Sequence, residues 1–258
     1  MRRVAALSAL VLAIKEAAHV GQSWTVPALA LLVAIGASVL FVRRQRRLEN
    51  PLLEFSIFLN PAFSAGVLAA AFAMFAIGGI QLVTTQRFQQ VVGFSPLEAG
   101  LLVAVIAVGS LPTALLGGAF LHRVGLLALI TGGLAVATGG VVVTVVGFQS
   151  SFGVLVLGLL VTGAGLGAAM SVASTAIIGN VPVRRAGMAA SLEEVSYEFG
   201  SLIAVSVLGS LLTAIYTASV VLPNGAPAAA GDGIAEALEA VQGDAAIIQA
   251  ASTAFDSA

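Results

Sequence analysis

The chain has 258 residues, of which 59% are hydrophobic and 9% charged, with a net charge of −1. Soluble domains run at about 25% charged and about 45–50% apolar, so much of this apolar surface has no soluble core to enter and lipid is its natural solvent. A net charge near zero gives no electrostatic footing for nucleic acid, and the absence of cysteine excludes disulfides, Cys-ligated zinc, iron–sulfur clusters and thiol catalysis. The two histidines, His19 and His122, fall on different segments, so no metal centre and no cofactor are expected.

Uncharged apolar runs of helical length predict an all-α polytopic membrane bundle of about seven spans. They cover 4–20, 24–42, 62–86, 97–121, 125–147, 152–179 and 187–221. The first is short and ends on Lys15 and Glu16. The last is long enough to project beyond the bilayer. Strand-length segments of alternating polarity are missing, which disfavours a β-barrel. "RRQRRLENP" (43–51) follows the second span, and Pro51 and Pro61 bracket a polar connector. "GFSP" at 93–96 reads as a turn with Ser95 as N-cap and Pro96 at the first helical position. "HRVG" (122–125) and "VPVRRAG" (181–187) close two further spans.

Alternating spans place Arg2, Arg3, Arg43, Arg44, Arg46, Arg47, Arg123, Arg184 and Arg185 on one side, and Lys15 and Arg87 on the other. The arginine-rich side is expected to be cytoplasmic. The N-terminus then starts inside, in a cell (inner) membrane, and 222–258 lies outside. A cleaved signal peptide over "MRR" and 4–14 is the alternative for the start, disfavoured because no A-x-A-like site leads into a soluble domain. In the tail, Ile234, Leu238, Val241, Ile247, Ile248 and Phe255 recur with helical spacing, as in an amphipathic helix on the outer surface. A disordered tail is the alternative.

Within the spans, Gly163 and Gly167 stand four apart with Ala164 and Ala168 beside them, a spacing that lets helices approach closely in lipid. "GGIQ" (78–81) and "LLGGAF" (115–120) offer the same. Pro112 falls inside the fourth span, where it is expected to kink the helix.

The seventh span carries the chemistry. "SLEEVSYEFGS" (191–201) interrupts an otherwise apolar helix. Counting from Arg185 at the interface, Glu194 lies about 13 Å and Glu198 about 20 Å deeper, inside a ~30 Å hydrocarbon slab. Glu194 and Glu198 share a face. Tyr197 is three residues from Glu194 and within hydrogen-bonding reach of it, while Glu193 points roughly 100° away. An ionised carboxylate at the bilayer centre costs on the order of 2.5–3.5 kcal/mol, so such groups face a wet cavity or stay protonated. That makes a site that exchanges a proton for a cation. By depth, Glu198 ranks first, Glu194 second and Glu193 last, and Glu193 and Glu194 alternatively reach interfacial water. Gln81, Gln86, Arg87 and Gln89 crowd the outer end of the third span, as an outer vestibule or an ordinary polar helix end.

"AGMAASLEEVSYEFGSLIAVSVLGSLLTAIY" (186–216), preceded by "VPVRR", resembles the thirteenth helix of fourteen-helix multidrug:proton antiporters of the major facilitator superfamily, the quaternary ammonium and methyl viologen resistance type. "FSPLEAGLLVAVIAVGSLPTALLGGAFLHRVG" (94–125) resembles their tenth helix and following loop, and "RRLENPLLEFSIFLNPAFSAG" (46–66) the linker between their eighth and ninth helices. The resemblance implies a partial major facilitator fold. Residues 1–45 would be two helices linking the transporter halves, the first truncated, and 46–61 a cytoplasmic linker. Residues 62–221 would be five helices of the C-terminal half, and 222–258 an extracytoplasmic loop before a final helix that is missing. It implies a proton-coupled exporter of small lipophilic cations, with the bilayer, protons and a missing N-terminal half as partners. Matching by motif, drug recognition or proton coupling falls on Glu193, Glu194 and Glu198. The chain departs from the family in carrying His122 before Arg123, where Asp is frequent, and in having no acid within the fourth span. The alternative function is a membrane subunit of a different permease or channel. An enzyme is not expected: paired aspartates, an HExxH motif and Ser/His or Ser/Lys arrangements at membrane depth are all missing.

Overall fold

A computed structural model describes residues 55–258 except 224–225, 232, 241–244 and 258, together with the isolated positions 32, 36, 39, 40 and 43. The chain divides into two units, Met1–Ile57 and Phe58–Ala258. In the first, the five isolated positions are all helical. The rest of the spans expected over 4–20 and 24–42, and most of the linker, lie outside the described residues.

The second unit is built of helices whose ends the sequence marks chemically. Helix α1 (Pro61–Gln86) starts at Asn60, whose side chain accepts from the Ala62 amide at 3.0 Å, with Pro61 at the first helical position. Helix α2 (Pro96–Val124) starts at Ser95, as its sequence predicts. The cap is reciprocal: the Glu98 amide donates to Ser95 Oγ, and the Ser95 amide donates to Glu98 Oε2 at 2.8 Å. Helix α3 (Leu126–Gln149) follows after the single residue Gly125, whose φ of 87° is open to glycine and strained for a side chain. Ser151 caps α4 (Phe152–Gly179), and the turn Val183–Arg185 leads into α5 (Ala186–Ser219). Pro112 lies within α2, which runs on to Val124. Among the described residues there is no strand, and five helices are long and apolar enough to cross a membrane.

One boundary differs from its sequence expectation. The third span was expected to stop at residue 86, where polar residues begin. The helix instead continues as a π-helical turn, Arg87–Val91. The reason is local satisfaction: Arg87 donates to the Phe148 carbonyl at 3.0 Å and its guanidinium lies 5.1 Å from the centre of the Phe148 ring. Phe88 is buried beside Phe94.

Helix α4 is the hub, contacting α3 and α2 most extensively and then α1; α5 packs mainly on α1. Lipid supplies no hydrophobic drive between helices, so close approach of backbones must hold them together. The sequence supplies it as small residues. On α3, Gly133, Ala137, Gly140, Thr144 and Gly147 form one stripe, all buried. On α4, Gly158, Thr162 and Gly165 face them: a Cβ on Gly140 would meet the Thr162 amide nitrogen, and one on Gly158 the Thr144 amide nitrogen. The expected Gly163–Gly167 pair serves a second contact, with α2, against the carbonyls of Ile106 and Ser110. Glycine at 78 and 79 meets α5 at Ser201, Ala204 and Leu208.

The described residues of the tail include the helical stretches α6 (Ile234–Ala240) and α7 (Ala245–Ser257), and the stretch 241–244 lies outside the described residues. Ile234, Ala237, Ile247, Ala251, Ala254 and Phe255 close over Tyr216 in one buried cluster. The Tyr216 hydroxyl donates to the Ala230 carbonyl at 3.0 Å. At 1.5 Å per residue, 34 residues of α5 make a helix of about 51 Å, longer than the hydrocarbon core, and its far end is the platform for this cap. Ile248 and Leu238 pack beside the cluster. Val241 lies outside the described residues.

Candidate functional site

Helix α5 presents three faces, set by the 100° turn between successive residues. Ala189, Glu193, Ser196, Gly200 and Ala204 form its buried face. That face meets α1: a Cβ on Gly200 would fall on the Ala71 carbonyl, and the Cβ of Ala204 lies 3.3 Å from one built on Gly78. The outward apolar face carries Val195, Phe199, Leu202 and Ile203, all about half exposed. Between them runs a polar flank with Ser191, Glu194 and Glu198, each exposed.

The three acids therefore separate. Glu194 and Glu198 share the exposed flank, as their four-residue spacing predicts. Glu193 is 8% exposed, one of few buried polar side chains among the described residues. Tyr197 does not pair with Glu194. Its hydroxyl donates to Glu193 Oε1 at 2.6 Å. The reason is rotational: positions 193 and 197 are only 40° apart on the helix, both bordering the α1 seam, whereas Glu194 has turned away onto the flank. A buried carboxylate needs hydrogen-bond partners once water is excluded, and the phenol supplies one. Ser196, also buried, is satisfied locally by donating to the Leu192 carbonyl at 2.7 Å.

The expected outer vestibule is partly dissolved. Gln81 is exposed on α1, but Gln86 and Gln89 are half-buried and Arg87 is committed to Phe148. His122 and Arg123 sit in the last turn of α2, where the Arg123 cation complements the helix dipole. Reading the sequence missed Phe148 as the partner of Arg87, since no spacing rule connects residues 61 apart.

Residues 66–231 match the Major Facilitator Superfamily. The chain belongs to that family. Its all-helical bundle is part of a major facilitator fold, and the protein is a multi-pass membrane protein of a transporter family. Among curated relatives, it is 30% identical to the multidrug efflux pump LfrA of Mycolicibacterium smegmatis over 84% of this chain and 43% of the relative. It is 29% identical to the methyl viologen resistance protein SmvA of Salmonella typhimurium over 72% of this chain and 38% of the relative. It is 27% identical to the quinolone resistance protein NorB of Staphylococcus aureus, over 83% and 48% respectively. The chain thus spans less than half the length of these major facilitator relatives.

Proposed function

We propose that this chain is the C-terminal part of a proton-coupled exporter of small lipophilic cations, in which the acids of α5 alternate between proton and drug. The observation that carries it is the burial of Glu193 against α1 with Tyr197 as its partner, while Glu194 and Glu198 stand exposed on an adjoining flank. Of the three acids, Glu193 is the one held away from solvent on the α1 seam, out of a cation's direct reach, so the proton is assigned to it. Two exposed carboxylates in a mostly apolar helix are suited to attract a cation. The relatives' names, multidrug efflux and methyl viologen resistance, support the class of cargo. A partner half, contributed by residues beyond this chain, would close a cavity over the polar flank.

Proteoliposomes test the coupling. With the N-terminal half supplied, an imposed proton gradient should drive uptake of a lipophilic cation into inside-out vesicles, and the 258-residue chain alone should not. Cation movement that ignores the gradient, or robust uptake by the chain alone, would overturn the proposal.

The orientation belongs to the same reading: the arginine-rich ends face the cytoplasm. With no native cysteine, single substitutions report it cleanly. An impermeant maleimide on intact cells should label Ser150→Cys, between α3 and α4, and spare Val183→Cys, which is 92% exposed between α4 and α5. The reverse pattern would invert the topology.

A further inference from the structure

The proton assigned to Glu193 has to reach a carboxylate held away from solvent. Glu193 lies on the buried face of α5, against α1. Of the spans that α5 contacts, neither α1 nor α4 carries an ionisable side chain, so no acid or base on them can hand the proton over. Ser196, the buried hydroxyl on the same face of α5, is committed to the Leu192 carbonyl at 2.7 Å. Among the described residues, the side chain on the Glu193 carboxylate is Tyr197, with its hydroxyl 2.6 Å from Oε1. Tyr197 is half-buried, at the border between the seam and the polar flank. At 100° per residue it lies about 40° from Glu193 and about 60° on the other side from Glu194, so it stands between the two acids. Glu194 precedes it by three residues, a spacing at which side chains of one helix are neighbours. Glu198 is turned about 100° away. All of this is set by the period of a single helix.

A phenol is donor and acceptor at once, so it can pass a proton on while taking one up. We propose that Tyr197 relays a proton from Glu194 to Glu193, an inference that rests on the proton-coupled reading above. The carboxylic O–H bond of Glu194 breaks and its proton bonds to the phenolic oxygen. The phenolic O–H bond breaks and its proton bonds to Glu193 Oε1. Tyr197 ends neutral, the negative charge has moved from Glu193 to Glu194, and rotation of the hydroxyl resets the relay. An incoming proton thus meets the flank first. It neutralises Glu194, and so loosens a bound cation, before it fills the buried acid. That order makes the exchange sequential.

The test is a light-triggered proton release onto the purified chain, followed by time-resolved infrared spectroscopy of the protonated-carboxyl band. The component that vanishes in Glu193→Gln belongs to Glu193. In Tyr197→Phe that component should rise about a hundredfold more slowly, the low end of what a positioned proton-transfer group contributes. Glu194→Gln, a change on the exposed flank, should also slow it and leave the band where it was. Glu198→Gln should leave both rate and position unchanged. If Tyr197 only holds Glu193 in place, phenylalanine shifts the band without slowing it, and that result overturns the relay. Equal slowing by Glu194→Gln and Glu198→Gln would reduce the effect to lost flank charge and overturn the assignment to Glu194. Coupling itself is read separately, by the gradient-driven uptake above: its failure with the relay kinetics intact would remove the transport reading and leave the relay standing.

Discussion

Replacing Glu193 by glutamine in the transporter completed with its N-terminal half should reduce proton-driven efflux to background, while leaving cation binding measurable. Glutamine keeps the size of the side chain and an acceptor for the Tyr197 hydroxyl, now 2.6 Å from Oε1, but cannot take up or release a proton. The same change at Glu194 or Glu198 should spare the coupling. Those groups stand on the exposed flank, and their loss should weaken a divalent lipophilic cation more than a monovalent one, because a dication needs more compensating charge. Tyr197→Phe should slow transport by about tenfold, the cost of one hydrogen bond to a charged group, without uncoupling it. Folding should survive all four, since each glutamine removes an ionisable group from a membrane helix and phenylalanine keeps the aromatic ring. Efflux of both cations, normalised to membrane expression, decides between the acids. Full proton-driven efflux in Glu193→Gln, with Glu198→Gln inactive, would move the proton to the flank and restore the order that depth alone suggests.

The second large effect is on the bundle itself. Gly139 and Gly140 are neighbours in sequence with opposite surroundings: a Cβ on Gly139 meets nothing within 4 Å, and one on Gly140 lands on the Thr162 backbone and side chain. Leucine at 139 should be tolerated and leave the thermal transition of the detergent-purified protein within a few degrees. Leucine at 140 forces α3 from α4, the most extensive contact in the bundle. Overpacking costs about 1–3 kcal/mol in ordinary cores, and the obstacle here is backbone, which cannot change rotamer. A fall on the order of 10 °C, or loss of the monodisperse species, is expected. Gly132 and Gly133 repeat the comparison, since Gly132 is open and a Cβ on Gly133 would lie 2.8 Å from the Gly165 carbonyl. Equal tolerance at 139 and 140 would refute the α3–α4 seam.

Much of this architecture is written locally. The five spans from Pro61 onward follow from apolar runs of membrane length, because lipid demands helices that satisfy their own backbone. The Ser95 cap and the break at Gly125 follow from single-residue chemistry. That Glu194 and Glu198 share a face follows from helical period. Burial and partner choice do not, because periodicity fixes which residues share a face and leaves open what that face meets. Glycine stripes occur on α3 and on both sides of α4, and only packing assigns Gly163 and Gly167 to α2 rather than to α3. The contact of α5 with α1 decides which acid is hidden, and so places Glu193, the acid ranked last by depth, against Tyr197. The π turn at Arg87 and the fold of the tail over Tyr216 have the same origin: each is stabilised by a residue distant in sequence, Phe148 in one case and the α6–α7 cluster in the other.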